Sequence, residues 1–83
     1  MVKKDGAETR RQRIQEIKKD LFSALYEKRS NGEKEELGLS NSVVYQMYKT
    51  GLSESKIKEY IEILEKTGLI EVDFINDKIK CQT

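Results

Sequence analysis

Apolar residues recur along this chain at helical spacing in three stretches and at strand spacing in one, and the breaks between them fall at glycines and cap residues. The sharpest stretch is Met47 to Ile70. Gly51 and Leu52 interrupt a helical pattern there, Ser53 offers a side-chain oxygen to the amides of a new first turn, and Ile57, Ile61 and Leu64 form one apolar stripe. Gly68 stands past the last turn, where a left-handed terminus costs glycine least. A helix over about 54–67 is expected, the second of a helix-turn-helix. Its predecessor is expected over Ser42 to Lys49, capped by Ser40 or Asn41, with Val44, Met47 and Tyr48 facing inward.

Upstream, Ile14, Ile17, Leu21 and Leu25 lie on one stripe of a long helix from about Glu8 to Arg29, ended by Asn31-Gly32. Phe22 and Tyr26 add a second pair beside that stripe, more apolar surface than one packing contact uses. Core packing takes part of it, and Ile14, Phe22 and Tyr26 are assigned to a homodimer contact. Glu33 to Leu39 reads as a polar connection anchored by Leu37 and Leu39, and residues 1–7 as a flexible basic tail before a single domain over 8–83.

Downstream, Leu69 to Ile75 and Lys78 to Gln82 flank Asn76-Asp77, a pair that tolerates positive φ and so signals a hairpin. Pairing across a two-residue loop sets Phe74 opposite Ile79, Val72 opposite Cys81 and Ile70 opposite Thr83 on an apolar face, with Asp73 opposite Lys80 and Glu71 opposite Gln82 on the other. The expected core sets Ile57, Ile61 and Leu64 against Leu21, Val44 and Phe74. The fold class is mainly α with a small β-hairpin: a winged helix-turn-helix of three helices plus a C-terminal two-stranded wing over about 69–82.

Composition narrows the chemistry. Hydrophobic residues make up 36% and charged residues 37%, on the polar side of globular and without the bias of a disordered chain. Histidine is absent, which removes the commonest general base and metal ligand near neutral pH. The serines fall at caps and turns, and there is no glycine-rich phosphate loop, so no enzyme, cofactor or metal is expected. Lone Cys81 excludes an intramolecular disulfide and fits a buried thiol in a reducing cytoplasm. With neither a membrane-length apolar stretch nor the apolar segment of a signal peptide, a soluble, unexported protein without membrane contact is expected.

Net charge is +1, unevenly placed. Residues 1–19 hold seven basic groups (Lys3, Lys4, Arg10, Arg11, Arg13, Lys18, Lys19) against Asp5, Glu8 and Glu16, giving +4; residues 20–32 balance; residues 33–83 hold seven lysines against ten acids, giving −3. Attraction for phosphate should therefore concentrate at the N-terminal end.

The order Met47-Tyr48-Lys49, Leu52-Ser53, Tyr60-Ile61 and Gly68-Leu69-Ile70 resembles that of small archaeal winged-helix DNA-binding proteins, a group containing a dimeric chromatin protein and many plasmid, viral and chromosomal regulators. The resemblance spans about residues 12–80. It implies a helical core with a wing, double-stranded DNA binding, a homodimer, and a cytoplasmic, nucleoid-associated transcription regulator or chromatin protein. Two departures stand out: the chromatin protein continues past the wing into a coiled-coil helix that this sequence lacks, and Glu54 and Ser55 stand where such proteins tend to be basic.

With Ile57 inward, steps of 100° turn Ser55, Lys58, Glu59, Glu62 and Lys66 away from the core. Residues near the start of the second helix reach base edges in this motif, so Ser55, Lys58 and Glu59 are the base-reading candidates. Arg10, Arg11, Arg13, Lys49, Thr50, Ser53 and Lys78 are the phosphate candidates, while Lys80 is expected to engage Asp73. Glu54, Glu59, Glu62 and Glu65 outnumber Lys56, Lys58 and Lys66 on the same helix, which supports the alternative of a winged-helix protein-interaction or assembly module with a protein partner.

Overall fold

The computed structural model describes residues 6–81. Three helices, α1 (Gly6–Ser30), α2 (Leu39–Thr50) and α3 (Glu54–Lys66), alternate with strands β1 (Glu36–Gly38), β2 (Ile70–Asp73) and β3 (Lys78–Cys81) in the order α1-β1-α2-α3-β2-β3. The strands form one antiparallel sheet of order β1-β3-β2. A mainly helical chain with a small antiparallel sheet is thus established, in a layout compatible with a winged helix. Most of the expected tail, residues 1–5, lies outside the described residues; Gly6 and Ala7 belong to α1.

The core draws one stripe from each helix and one face of the sheet: Ile17 and Leu21 from α1, Leu39 and Val43 from α2, Ile57, Tyr60, Ile61 and Leu64 from α3, and Ile70, Val72 and Ile79 from the sheet. Burial of each large aliphatic side chain contributes about 1.5–3 kcal/mol. α3 follows its sequence pattern closely. Ser53 Oγ accepts the Lys56 amide at its start, and at its end Gly68, at φ +81°, donates to the Glu65 carbonyl while Leu69 donates to that of Leu64. That pair of reversed bonds is a Schellman terminus. α1 ends the same way, with Gly32 donating to Arg29 and Glu33 to Lys28.

Four expectations are corrected. The first concerns α2, which starts three residues early and turns a different face inward: Val43 and Gln46 are buried and Met47 half-buried, whereas Val44 and Tyr48 are exposed. α2 has apolar residues on both sides, so spacing alone did not select one. Its cap is also remote. Neither Ser40 nor Asn41 caps it; the Asp77 carboxylate accepts both the Ser40 amide (3.1 Å) and the Ser40 hydroxyl (2.7 Å), and the Asp77 carbonyl accepts the Leu39 amide.

The second correction is the hairpin register. Val72 pairs with Ile79, Ile70 with Cys81, Glu71 with Lys80 and Asp73 with Lys78, a shift of two residues from the two-residue-loop pairing. The Asp73 carboxylate accepts the amides of Ile75 and Asn76 and the Asn76 side chain, closing a four-residue turn with Asp77 at φ +58°. A shift of two preserves which face is buried, but it expels Phe74 from the core into the turn. The expected pairings of Gln82 and Thr83 lie outside the described residues.

Third, the sheet has three strands. β1 lies within the segment read as connection and pairs Leu37 with Ile79, so Leu37 and Leu39 are the anchors expected of them. Fourth, Lys80 engages Glu36 across that pairing at 3.4 Å, not Asp73. Cys81 is half-buried.

Candidate nucleic-acid interface

α3 carries its base-reading candidates on the outward side. Ser55, Lys58 and Glu59 are all exposed, as are Glu62 and Lys66, because Ile57, Tyr60, Ile61 and Leu64 occupy the opposite side. Each lysine of this surface lies beside a glutamate of the same helix: Lys58 with Glu54 at 3.2 Å, Lys56 with Glu59 at 3.5 Å and Lys66 with Glu62 at 3.6 Å. Exposed pairs of this kind contribute about 0.2–1 kcal/mol. Lys58 is therefore only loosely held, while Glu54 remains near any phosphate that approaches. Ser53 and Ser55 share a hydroxyl contact of 3.3 Å at the helix start.

The phosphate candidates divide between the two ends of α2. At its C-terminal end Arg13, Lys49 and Thr50 line one surface depression together with Thr9, Gln12 and Glu16. Of the arginines in the first turns of α1, Arg13 reaches this depression beside Lys49 and Thr50, while Arg10 and Arg11 stand exposed on the same turns of the helix. These arginines form no ion pair with any described residue. Lys78 is separate. It opens β3 opposite Gly38 and Asp73, next to the N-terminal end of α2, which a helix of twelve residues sets about 18 Å away.

Two candidates have structural employment. Thr50 Oγ1 donates to the Gln46 carbonyl at 2.6 Å and accepts the Leu52 amide at 3.2 Å, which shapes the turn between α2 and α3. Lys49 Nζ reaches Asp20 on α1 at 2.6 Å, and Gln46 Nε2 donates to the same carboxylate oxygen at 2.9 Å. Gln46 is the one buried polar residue among those described, and this carboxylate satisfies it. Burial alone works to raise the Asp20 carboxyl, but the bonds from Gln46 and Lys49 and the charges of Lys49 and Lys19 outweigh it and hold it below the usual carboxylate range. The hydrogen bond to Asp20 correspondingly raises Lys49. Sequence reading missed Asp20 and Gln46, since a lone acid in a balanced stretch and a glutamine in a helix carry no spacing signal.

Of the dimer candidates, Ile14 and Phe22 pack against the core, and Tyr26 alone is exposed. Among the described residues no group of histidine, cysteine and carboxylate side chains converges to hold a metal ion, and no helix is long and apolar enough to cross a membrane. Comparison with protein-family models, with curated proteins and with solved structures finds no match for this chain.

Proposed function

We propose that this chain is a winged-helix protein that binds double-stranded DNA, as a transcription regulator or small chromatin-associated protein. The observation that carries this reading is the meeting of Arg13 of α1 with Lys49 and Thr50 at the end of α2, just before the turn that opens α3 with its exposed Ser55, Lys58 and Glu59. A helix N-terminus supplies free amides for a phosphate, and flanking arginines supply charge, so the duplex backbone would be held at that corner while α3 lies in the major groove. Arg10, Arg11 and Arg13 act as the anchors, Ser53 and the first amides of α3 as a phosphate seat, and Ser55, Lys58 and Glu59 as base readers. Lys49 acts indirectly, by fixing α2 to α1 through Asp20.

A second reading rests on one observation of its own, the neutralised lysines of α3. A helix whose charges are already balanced suits a protein partner with interleaved charges. The two separate on where affinity lives. Removing Arg10, Arg11 and Arg13 together should weaken binding to all duplexes alike and flatten the salt slope by up to about three units, because three phosphates lose their partners. Lys58→Ala should instead relax preference at one base pair by about 1–3 kcal/mol with a slope change of one unit or less. A triple variant with an unaltered slope would reject the arm as anchor.

A further inference from the structure

The outward side of α2 differs from the rest of the molecule in what it lacks. In a chain with 37% charged residues, α2 carries no lysine, arginine, aspartate or glutamate from Leu39 to Tyr48. At 3.6 residues per turn, Val44, Tyr48, Asn41 and Tyr45 fall within an arc of about 100° on the side turned from the core. Tyr48 is 91% exposed, Val44 63% and Tyr45 56%. The first charge beyond this stretch, Lys49, is drawn off the arc to Asp20. A cluster of exposed apolar side chains marks a contact surface, and a composition rich in tyrosine and poor in charge is that of an interface centre.

We infer that this side of α2 is a self-association surface, seating the same side of a second copy of this chain. Charge selects the occupant. In a two-fold contact each patch meets itself, so a basic or acidic patch is set against its like. The exposed side of α1 bears Arg10, Arg11, Lys19 and Arg29, and that of α3 would have to desolvate its lysines and glutamates. Phe74 and Ile75 at the turn of the hairpin are also exposed, but Asp73 and Asp77 flank them. Only the α2 arc, among the exposed helix surfaces described, meets itself without like charges or buried ions. The arc itself offers no counter-charge to a charged macromolecule, and the charges that share a depression with Asn41 and Tyr45, among them Lys34, Glu36 and Lys78, are of both signs. Asn41 and the tyrosine hydroxyls supply hydrogen bonds across the contact. From Asn41 to Tyr48 the patch runs only about 11 Å along the helix, short of the roughly 800 Å² per partner of a standard interface, so association is weak and reversible.

Sedimentation velocity of the full chain without DNA, from about 5 to 500 µM, tests this in the range where weak self-association is read. The weight-average mass should rise with concentration from 9.7 kDa toward twice that value. Replacing Val44 and Tyr48 together by lysine should raise the dissociation constant at least about tenfold. Both sites are exposed, so far-ultraviolet circular dichroism and the melting temperature should stay as in wild type. Mixing that variant with one carrying glutamate at both positions should restore a dimer, a rescue that a folding defect cannot give. Tyr26→Lys should leave association unchanged. A wild type monomeric throughout, a dimer indifferent to the α2 lysines, or one abolished by Tyr26→Lys would overturn the inference, and none of these outcomes bears on DNA binding.

Discussion

Helices α2 and α3 are joined by a short turn and are nearly equal in length, yet their outward sides are opposites. α3 presents lysines and glutamates in mutual pairs, and its apolar residues lie on one side only. α2 presents valine and tyrosine outward and keeps a second apolar set, Leu39 and Val43, against the core. A helix with one apolar side has one possible inward direction, whereas a helix with two leaves that choice to the neighbours it packs against. The surplus side of α2 is therefore both the source of a misreading and a sign of a contact outside the monomer.

The largest expected effect breaks or upholds that contrast directly. Leu64→Ala on the inward side of α3 should cost about 2–5 kcal/mol in chemical denaturation, the usual range for a buried leucine. Val44→Ala on α2 should stay within about 0.5 kcal/mol under dilute conditions, as at other exposed sites. Equal losses at the two positions would return Val44 to the core and undo the assignment of sides.

Next in size is the post that fixes α2 to α1. Asp20→Ala orphans the buried Gln46 amide as well as releasing Lys49, and should cost about 1–3 kcal/mol. Asp20 is held below its ordinary value in the folded chain, so its contribution is complete above the unfolded carboxylate range and is lost as pH falls through the folded value. Asp73, lowered by its bonds from the Asn76 side chain and backbone, acts in the same direction. Melting temperature should accordingly fall on acidification below about pH 4, and less steeply in Asp20→Asn. A variant with the wild-type acid profile would remove Asp20 from that role.

The remote cap of α2 should show a smaller effect. Asp77→Ala forfeits the bonds to Ser40 and places alanine at positive φ, for an expected loss of about 0.5–2 kcal/mol. Asp77→Asn, which tolerates that backbone and can still accept, should recover most of it. Equal losses in both would mean that the carboxylate charge, rather than the cap geometry, matters at this position.

Legibility in the sequence followed how local each signal is. Ser53, Gly68, Asn31-Gly32 and the stripe of α3 are set by neighbours within one or two turns, and each stands where its residue type indicated. β1 was illegible because Glu36–Gly38 has no alternation of its own and becomes a strand only through β3. The turn at Phe74 to Asp77 was misread because Asn76-Asp77 favours a two-residue loop locally, while the carboxylates of Asp73 and Asp77 stabilise a longer one that also caps α2 from a distance. In the candidate interface, exposure of Ser55, Lys58 and Glu59 followed from periodicity. The meeting of Arg13 with Lys49 and Thr50, and the capture of Lys49 by Asp20, depend on how α1 crosses α2, which no spacing within either helix records.

The proposed DNA reading is tested most directly by titrating the full chain against random-sequence duplex DNA at about 50 and 200 mM salt, where released counterions report phosphate contacts. Three to four contacts at the α1 corner predict that log K falls with log salt with a slope of about −3 to −4. Absence of duplex retention at the lower salt, or binding indifferent to salt, would contradict it.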